Sequence, residues 1–382
     1  MRTVATRVQA SQSTYPALYM AIEIGERQWK LGFTVGAGQR ARVRVVPARD
    51  MALVAEEIRL AKARFGVGVD APVYSCYEAG REGFWPHRAL ERIRVENLVV
   101  DSSSIEVSRR RRRAKTDRMD VTKLVSQRIR HQQGERRVWG VVRVPTPEQE
   151  ERRQLHRELM TARRDRTRST NRIKSLLATQ GARLEGGRGL PEALPEVWTW
   201  NGLPLPTGLR VRIEREFEKV HLLERQIAAA EAERKALLEQ TSEPDIAMVH
   251  KLMELRGIGV ESAWIFTMEL FAWRSFRNTR ELTAVVGLAP TPHQSGDESR
   301  ELGITKAGNC HVRALAIEIA WRWLYFQPES ALSLWYERNF ARGGSRRRRI
   351  GAVAVARKLL IALWKYVDQG VLPEGAVLKP GC

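Results

Sequence analysis

Short apolar runs separated by glycine-bearing connections open the chain. Leu18 to Ile24, Trp29 to Val35 and Ala41 to Val46 read as three strands, and Gly25, Gly36 and Gly38 between them give the backbone freedom that tight hairpins need. Helical periodicity then runs from Met51 to Phe65. A strand (Val73 to Tyr77), a helix (Glu82 to Ile93), a strand (Asn97 to Asp101) and a helix (Thr116 to Arg130) follow. Three antiparallel strands succeeded by alternating helices and strands predict a mixed-sheet α/β domain over residues 18–144, after an N-terminal extension of residues 1–17.

The pattern changes at Pro145. Glu148 to Thr179 is highly charged, with Leu155, Leu159, Ala162, Ile173 and Leu176 spaced by threes and fours and a break in the seam at Arg166 and Ser169. After a Gly-, Pro- and Trp-rich stretch, Arg210 to Gln240 carries Ile213, Phe217, Val220, Ile227, Ala230 and Leu237 on one stripe. Two long amphipathic helices over residues 145–244 predict an arm, either an antiparallel helical hairpin or a coiled-coil dimer element. Residues 245–366 read as a mainly helical block, and residues 367–382 as a loose tail.

Charge narrows the partners. Lys and Arg total 65 against 44 acids, a formal net charge of +21, and a polyanion relieves the self-repulsion that such a surplus stores. At 43% hydrophobic the chain can bury sizeable cores, which argues against wholesale disorder. Cys76, Cys310 and Cys382 are widely separated, so neither a disulfide framework nor a zinc site is expected, and a reducing cytoplasm fits. No run of about 18 apolar residues suggests a membrane span, and residues 1–17 lack the apolar core of a secretory signal. The expected location is cytoplasmic, at the nucleoid, with no membrane partner.

Four acids suggest chemistry. Glu23 lies at the end of the first strand and Glu78 just after the fourth. Asp117 and Asp120 open a helix, and a spacing of three puts them on one face. Carboxylates converging from strand ends and that face would repel one another unless a hard cation sat between them, and Mg²⁺ (or Mn²⁺) meets that need. Two such ions can serve both the attacking and the leaving oxygen of a phosphodiester.

The order strand-Glu, strand-Glu, helix Asp-x-x-Asp, with Lys115-Thr116 leading the helix, resembles the RuvC-like, ribonuclease-H-fold domain of the DEDD transposases of bacterial insertion sequences, the IS110 family, related to the Piv-type DNA invertases. The resemblance extends through the arm into a C-terminal transposase domain. It implies that Glu23, Glu78, Asp117 and Asp120 are the metal ligands, with Glu23 standing where the family has Asp. By itself Ser295 reads as a turn residue. The string Gly287-Leu288-Ala289-Pro290, then Gln294-Ser295-Gly296, then Ile304-Thr305-Lys306-Ala307-Gly308-Asn309 is similar to the family's transposase motif, which implies that Ser295 attacks DNA and forms a phosphoserine link. It further implies action on DNA at element ends and target, a structured guide RNA, and assembly as a dimer or tetramer.

Further contacts to nucleic acid are expected from Arg109, Arg110, Arg111, Arg112, Arg113 and Lys115 before the Asp117 helix, from Arg346, Arg347, Arg348 and Arg349, and from Lys306. Gly257 and Gly259, in a helix-hairpin-helix-like segment, could let backbone N–H groups approach a phosphate, or could mark a plain packing corner. Other readings of the same residues are a junction endonuclease in which water attacks, and a nucleic-acid-binding protein without catalysis.

Overall fold

The computed structural model describes residues 16–105, 117–135, 138–182, 194, 197–295 and 298–380, with the backbone alone at 103, 117–120, 292–295 and 298–302. The chain divides into two compact units at Pro145 and Thr146.

The first unit is a six-stranded mixed sheet in the order β3-β2-β1-β4-β5-β6. Strands β1 (Leu18–Ile24), β2 (Gln28–Thr34) and β3 (Arg42–Pro47) form an antiparallel meander. Helix α1 (Met51–Phe65) leads to β4 (Val73–Glu78), which returns parallel to β1 with Ile22 opposite Tyr77. Helix α2 (Trp85–Arg92) leads to β5 (Val95–Val100), parallel to β4, and α3 (Asp117–Gln132) precedes the short antiparallel β6 (Val141–Val142). The mixed α/β architecture is the one the sequence pattern predicts. Residue alternation sorts the two faces. Ala21, Cys76 and Val100 pack with Val121, Leu124 and Val125 of α3, whereas Trp29 on the opposite face meets Trp85 of α2 at a ring distance of 5.4 Å.

In the second unit, α4 (Pro147–Ala178) starts at a capping box: Gln149 N–H donates to Thr146 Oγ1, and Thr146 N–H donates to Gln149 Oε1. It pairs antiparallel with α5 (Thr207–Leu238). Ile173 and Leu177 meet Ile213 and Phe217 at one end, while Leu155 and Leu159 share a core with Ile227 and Ala230 at the other. Ser169, where a break in the seam is expected, is buried and hydrogen-bonds Glu216. The base of this hairpin merges with α6 (Pro244–Met253), α7 (Val260–Phe266), a π-helical turn (Thr267–Phe271), α8 (Thr279–Val285), α9 (Cys310–Phe326), α10 (Ala331–Tyr336) and α11 (Ser345–Gln369) around Trp264 and Trp323.

Two features differ from expectation. Strands β7 (Pro290–Ser295) and β8 (Glu298–Ile304) form a hairpin inside the block expected to be mainly helical. The tail is not loose: Leu378 bridges Leu255, Arg256 N–H donates to Val377 O, and Lys379 Nζ donates to Ile258 O at 2.9 Å. These polar groups would otherwise be left without partners at the α6–α7 turn, so the tail is fixed there.

Candidate functional site

Glu23 and Glu78 follow Ile22 and Tyr77, the last paired residues of the adjacent parallel strands β1 and β4, and so stand side by side. Each lies two residues beyond a residue that faces α3, Ala21 and Cys76 respectively, so the pleat aims both carboxylates at the α3 side. They line a cleft of about 480 Å³ together with Gly25, Gly80, Arg81 and Leu124. Two other acids in the cleft are already engaged: Glu82 by Arg49 at 2.7 Å and Glu26 by Arg81 at 3.4 Å.

Helix α3 is held over the sheet by a buried arginine. Arg128 donates from Nε to Ser75 O (3.0 Å), from Nη1 to Gln132 Oε1 (2.7 Å) and from Nη2 to Glu96 Oε1 (3.1 Å), and its guanidinium lies over the Tyr74 ring. One turn earlier, Leu124 O accepts from Cys76 Sγ. Running back from Arg128 over Ser75 to Leu124 over Cys76, the helix heads toward the carboxyl ends of β1 and β4. Positions 120 and 117 lie one and two turns before Leu124 on the same helical face. Burial pushes the Cys76 thiol up to about 12, which leaves it neutral.

The donor chemistry fits a hard divalent cation: carboxylate oxygens from two strand ends, with a helix bearing two more acids running toward them. Among the described residues no group of three or more candidate metal ligands gathers.

Ser295 is the last residue of β7, paired with Glu298 of β8. The base of this hairpin is a tight clasp that accounts for the flanking motif. Gly287 ends α8 in a left-handed conformation (φ 70°), with Gly287 N–H donating to Ala284 O and Leu288 N–H to Thr283 O, a Schellman motif. A Cβ at Gly287 would meet Ala307 O at 2.0 Å, and one at Gly308 (φ 84°) would meet Val285 O at 2.1 Å. Lys306, also left-handed at φ 56°, donates its N–H to Gly287 O and is exposed. Asn309 then caps α9, its Oδ1 accepting from the N–H groups of His311 and Val312.

The basic residues are spread over the chain. Arg109, Arg110, Arg111, Arg112, Arg113 and Lys115 lie outside the described residues. Arg346, Arg347, Arg348 and Arg349 form the exposed first turn of α11, at the positive end of the helix dipole. Gly257 (φ 90°) packs against Phe326, and Gly259 N–H donates to Ser262 Oγ, so that N–H already has a partner.

Sequence reading passed over a buried polar cluster beneath the clasp. Glu269 accepts from His156 Nε2 (3.0 Å), from Arg157 Nε (2.7 Å) and Nη2 (3.1 Å), and from Asn309 Nδ2 (3.1 Å). Burial alone would raise this carboxyl, but the bonds from His156 and Arg157 outweigh it and hold Glu269 at about 2. Asn309 in the motif was the available signal, but its partner lies 40 residues away in sequence.

Comparison with known proteins gives the family. The model of the transposase family IS116/IS110/IS902 matches residues 249–334, which contain the clasp and the serine hairpin. A protein of Sinorhizobium fredii (strain NBRC 101917 / NGR234) that bears a transposase name, y4rJ, is 41% identical over 381 residues, 95% of each chain. The transposase for insertion sequence element IS1328 of Yersinia enterocolitica is 26% identical over 59% of this chain and 66% of its own length. The transposase for insertion sequence element IS1111A of Coxiella burnetii is 26% identical over 54% of this chain and 55% of its own length. The protein is thus of the class of insertion-sequence transposases. Within that class the chain belongs to the IS116/IS110/IS902 family. Among the described residues, no helix is long and apolar enough to cross a membrane.

Proposed function

We propose that the protein cuts and rejoins DNA during movement of an insertion sequence, with a RuvC-like carboxylate centre at Glu23, Glu78, Asp117 and Asp120 and with Ser295 as nucleophile. The observation that carries this reading is the pair Glu23 and Glu78, side by side on parallel strands and facing the helix that bears the two aspartates. A divalent ion held by these acids, Mg²⁺ or Mn²⁺, would stabilise charge on the phosphoryl oxygens. Ser295 Oγ attacks the phosphorus; an O–P bond forms, the bond to a deoxyribose oxygen breaks, and that oxygen takes up the serine proton. Attack by a second DNA hydroxyl on the phosphoserine reverses the exchange and frees the serine. One ester replaces another at each step, so no external energy source is required.

Arg346 to Arg349, exposed on one helical turn, together with the net charge of +21, support contacts to nucleic-acid phosphates, of DNA and of the structured guide RNA that the family resemblance implies along with a dimer or tetramer. The test is a plasmid recombination assay with Asp117→Asn/Asp120→Asn and Ser295→Ala. The double variant should lose recombination, and Ser295→Ala should lose the covalent protein–DNA adduct. Undiminished recombination in the first, or a persisting adduct in the second, removes the corresponding half of the mechanism.

A further inference from the structure

The Glu269 cluster has no part in the chemistry just described, yet it sits between two elements that must be kept in register. On one side is α4, the arm helix, which contributes His156 and Arg157. On the other is Asn309, the last residue of the clasp below the serine hairpin. The two carboxylate oxygens divide the work. Oε1 accepts from His156 and from Arg157 Nε, whereas Oε2 accepts from both Arg157 Nη2 and Asn309 Nδ2. Through Glu269, the arm thus holds Asn309 atom to atom.

The remaining bonds of Asn309 point into the clasp. Its N–H donates to Val285 O, and its Oδ1 caps α9. Thr305 N–H to Ala289 O and Lys306 N–H to Gly287 O close the hairpin base just above it. The clasp leaves little slack, since Gly287 and Gly308 already lie against opposing backbone. A displacement of Asn309 is therefore carried into β7 and β8 and is not absorbed locally. Glu269 itself is mounted on the π-helical turn Thr267–Phe271, a local irregularity of the kind often found at functional positions. A buried carboxylate is also an expensive way to fill space, since an apolar residue of similar volume avoids its desolvation cost.

We propose that Glu269 is a positioning residue for strand transfer: through Asn309 it fixes the base of the hairpin that carries Ser295 to the arm helix. The proposal rests on the reading of Ser295 as the nucleophile. It predicts that cutting the link loosens the hairpin and slows the chemical step without weakening DNA binding.

The test uses the full chain and two variants. Asn309→Ser keeps an oxygen that can cap α9 but is too short to reach Glu269, so it removes one bond. Glu269→Gln keeps the shape and removes the charge. Amide hydrogen exchange is followed at 290–309, and single-turnover strand transfer is measured against DNA concentration. The expected result is faster exchange at the hairpin and a rate lower by about tenfold, the equivalent of one charge-assisted hydrogen bond, at an unchanged half-saturating DNA concentration. Wild-type exchange in Asn309→Ser overturns the proposal, as does faster exchange with an unchanged rate. If Glu269→Gln fails to fold, Asn309→Ser alone decides. Ser295→Ala, run in parallel, reports separately on the nucleophile: an adduct that survives it sinks that reading, whereas a hairpin that stays rigid in Asn309→Ser sinks the positioning role alone.

Discussion

Arg128 reaches across the sheet face to donate its Nε to the backbone carbonyl of Ser75 at 3.0 Å, and this bond sets where α3 lies above β4. The side chain is fully buried, and its remaining donors go to Gln132 and Glu96. Arg128→Leu keeps much of the volume but abandons these acceptors. The expected cost is about 2 kcal/mol, read as a lower urea midpoint of the first unit, because the buried Ser75 carbonyl loses a charged donor, whereas Glu96 and Gln132 are exposed and can turn to water. Recombination should fall further than stability accounts for, since the helix bearing Asp117 and Asp120 loses its register. Wild-type stability in this variant would dismiss Arg128 as the anchor.

Glu269 makes the second unit acid-sensitive. Its carboxyl sits at about 2 in the folded chain against 4.5 when free, so its contribution is present above about pH 4.5 and is lost as pH falls toward 2. The shift corresponds to stabilisation on the order of 3 kcal/mol. Urea unfolding of the second unit at pH 6, 4 and 3 should show this loss. Glu269→Gln should be less stable at pH 6 and flatter with pH.

The serine clasp rests on two glycines for a steric reason. Gly287→Ala and Gly308→Ala each combine a left-handed backbone with a collision against a carbonyl oxygen near 2 Å. Each should cost roughly 3 kcal/mol or more, because strain and overlap add. Gly303→Ala is the control: its φ is 90° but nothing lies within 4 Å, so only about 1 kcal/mol of backbone strain is expected. Similar melting points for all three variants would contradict the clasp.

How much of this was readable in advance depended on range. The strands through Val100 and the start of α3 followed from alternation and periodicity, and Glu23 and Glu78 could be placed at strand ends because the pleat has period two. Strand β6, only two residues long, carries too little pattern. Strands β7 and β8 hid behind Pro290, Pro292 and polar side chains, which read as loop. The Glu269 cluster joins residues 112 apart in sequence, which no local pattern can connect. Nothing in the local sequence distinguishes Arg128 from the other cations of α3, because its burial depends on where the sheet lies under α3.

Glu23→Gln and Glu78→Gln should each reduce metal-dependent DNA cleavage by about a hundredfold or more, as loss of a ligand does, while leaving salt-dependent DNA binding intact. Glu23→Asp shortens the side chain to the acid that the resemblance associates with this position. It should retain cleavage and change the ratio of Mg²⁺-supported to Mn²⁺-supported rates. Full cleavage by both Gln variants would rule out a carboxylate centre here.

Replacing Arg346, Arg347, Arg348 and Arg349 together by Ala should weaken DNA binding at all sequences and flatten its dependence on salt. Each phosphate that is no longer neutralised lowers the log–log slope by about 0.9. An unchanged slope would assign these arginines to the solvent.

The strap formed by Val377 to Lys379 has a consequence for biosynthesis. Lys379 covers the Ile258 carbonyl from 121 residues further along the chain, and Leu378 bridges Leu255. While a ribosome is still delivering α11, the corner between α6 and α7 therefore stands without its cover. This half of the molecule reaches its final form only once that late segment has left the exit tunnel, well after the corner it seals has emerged.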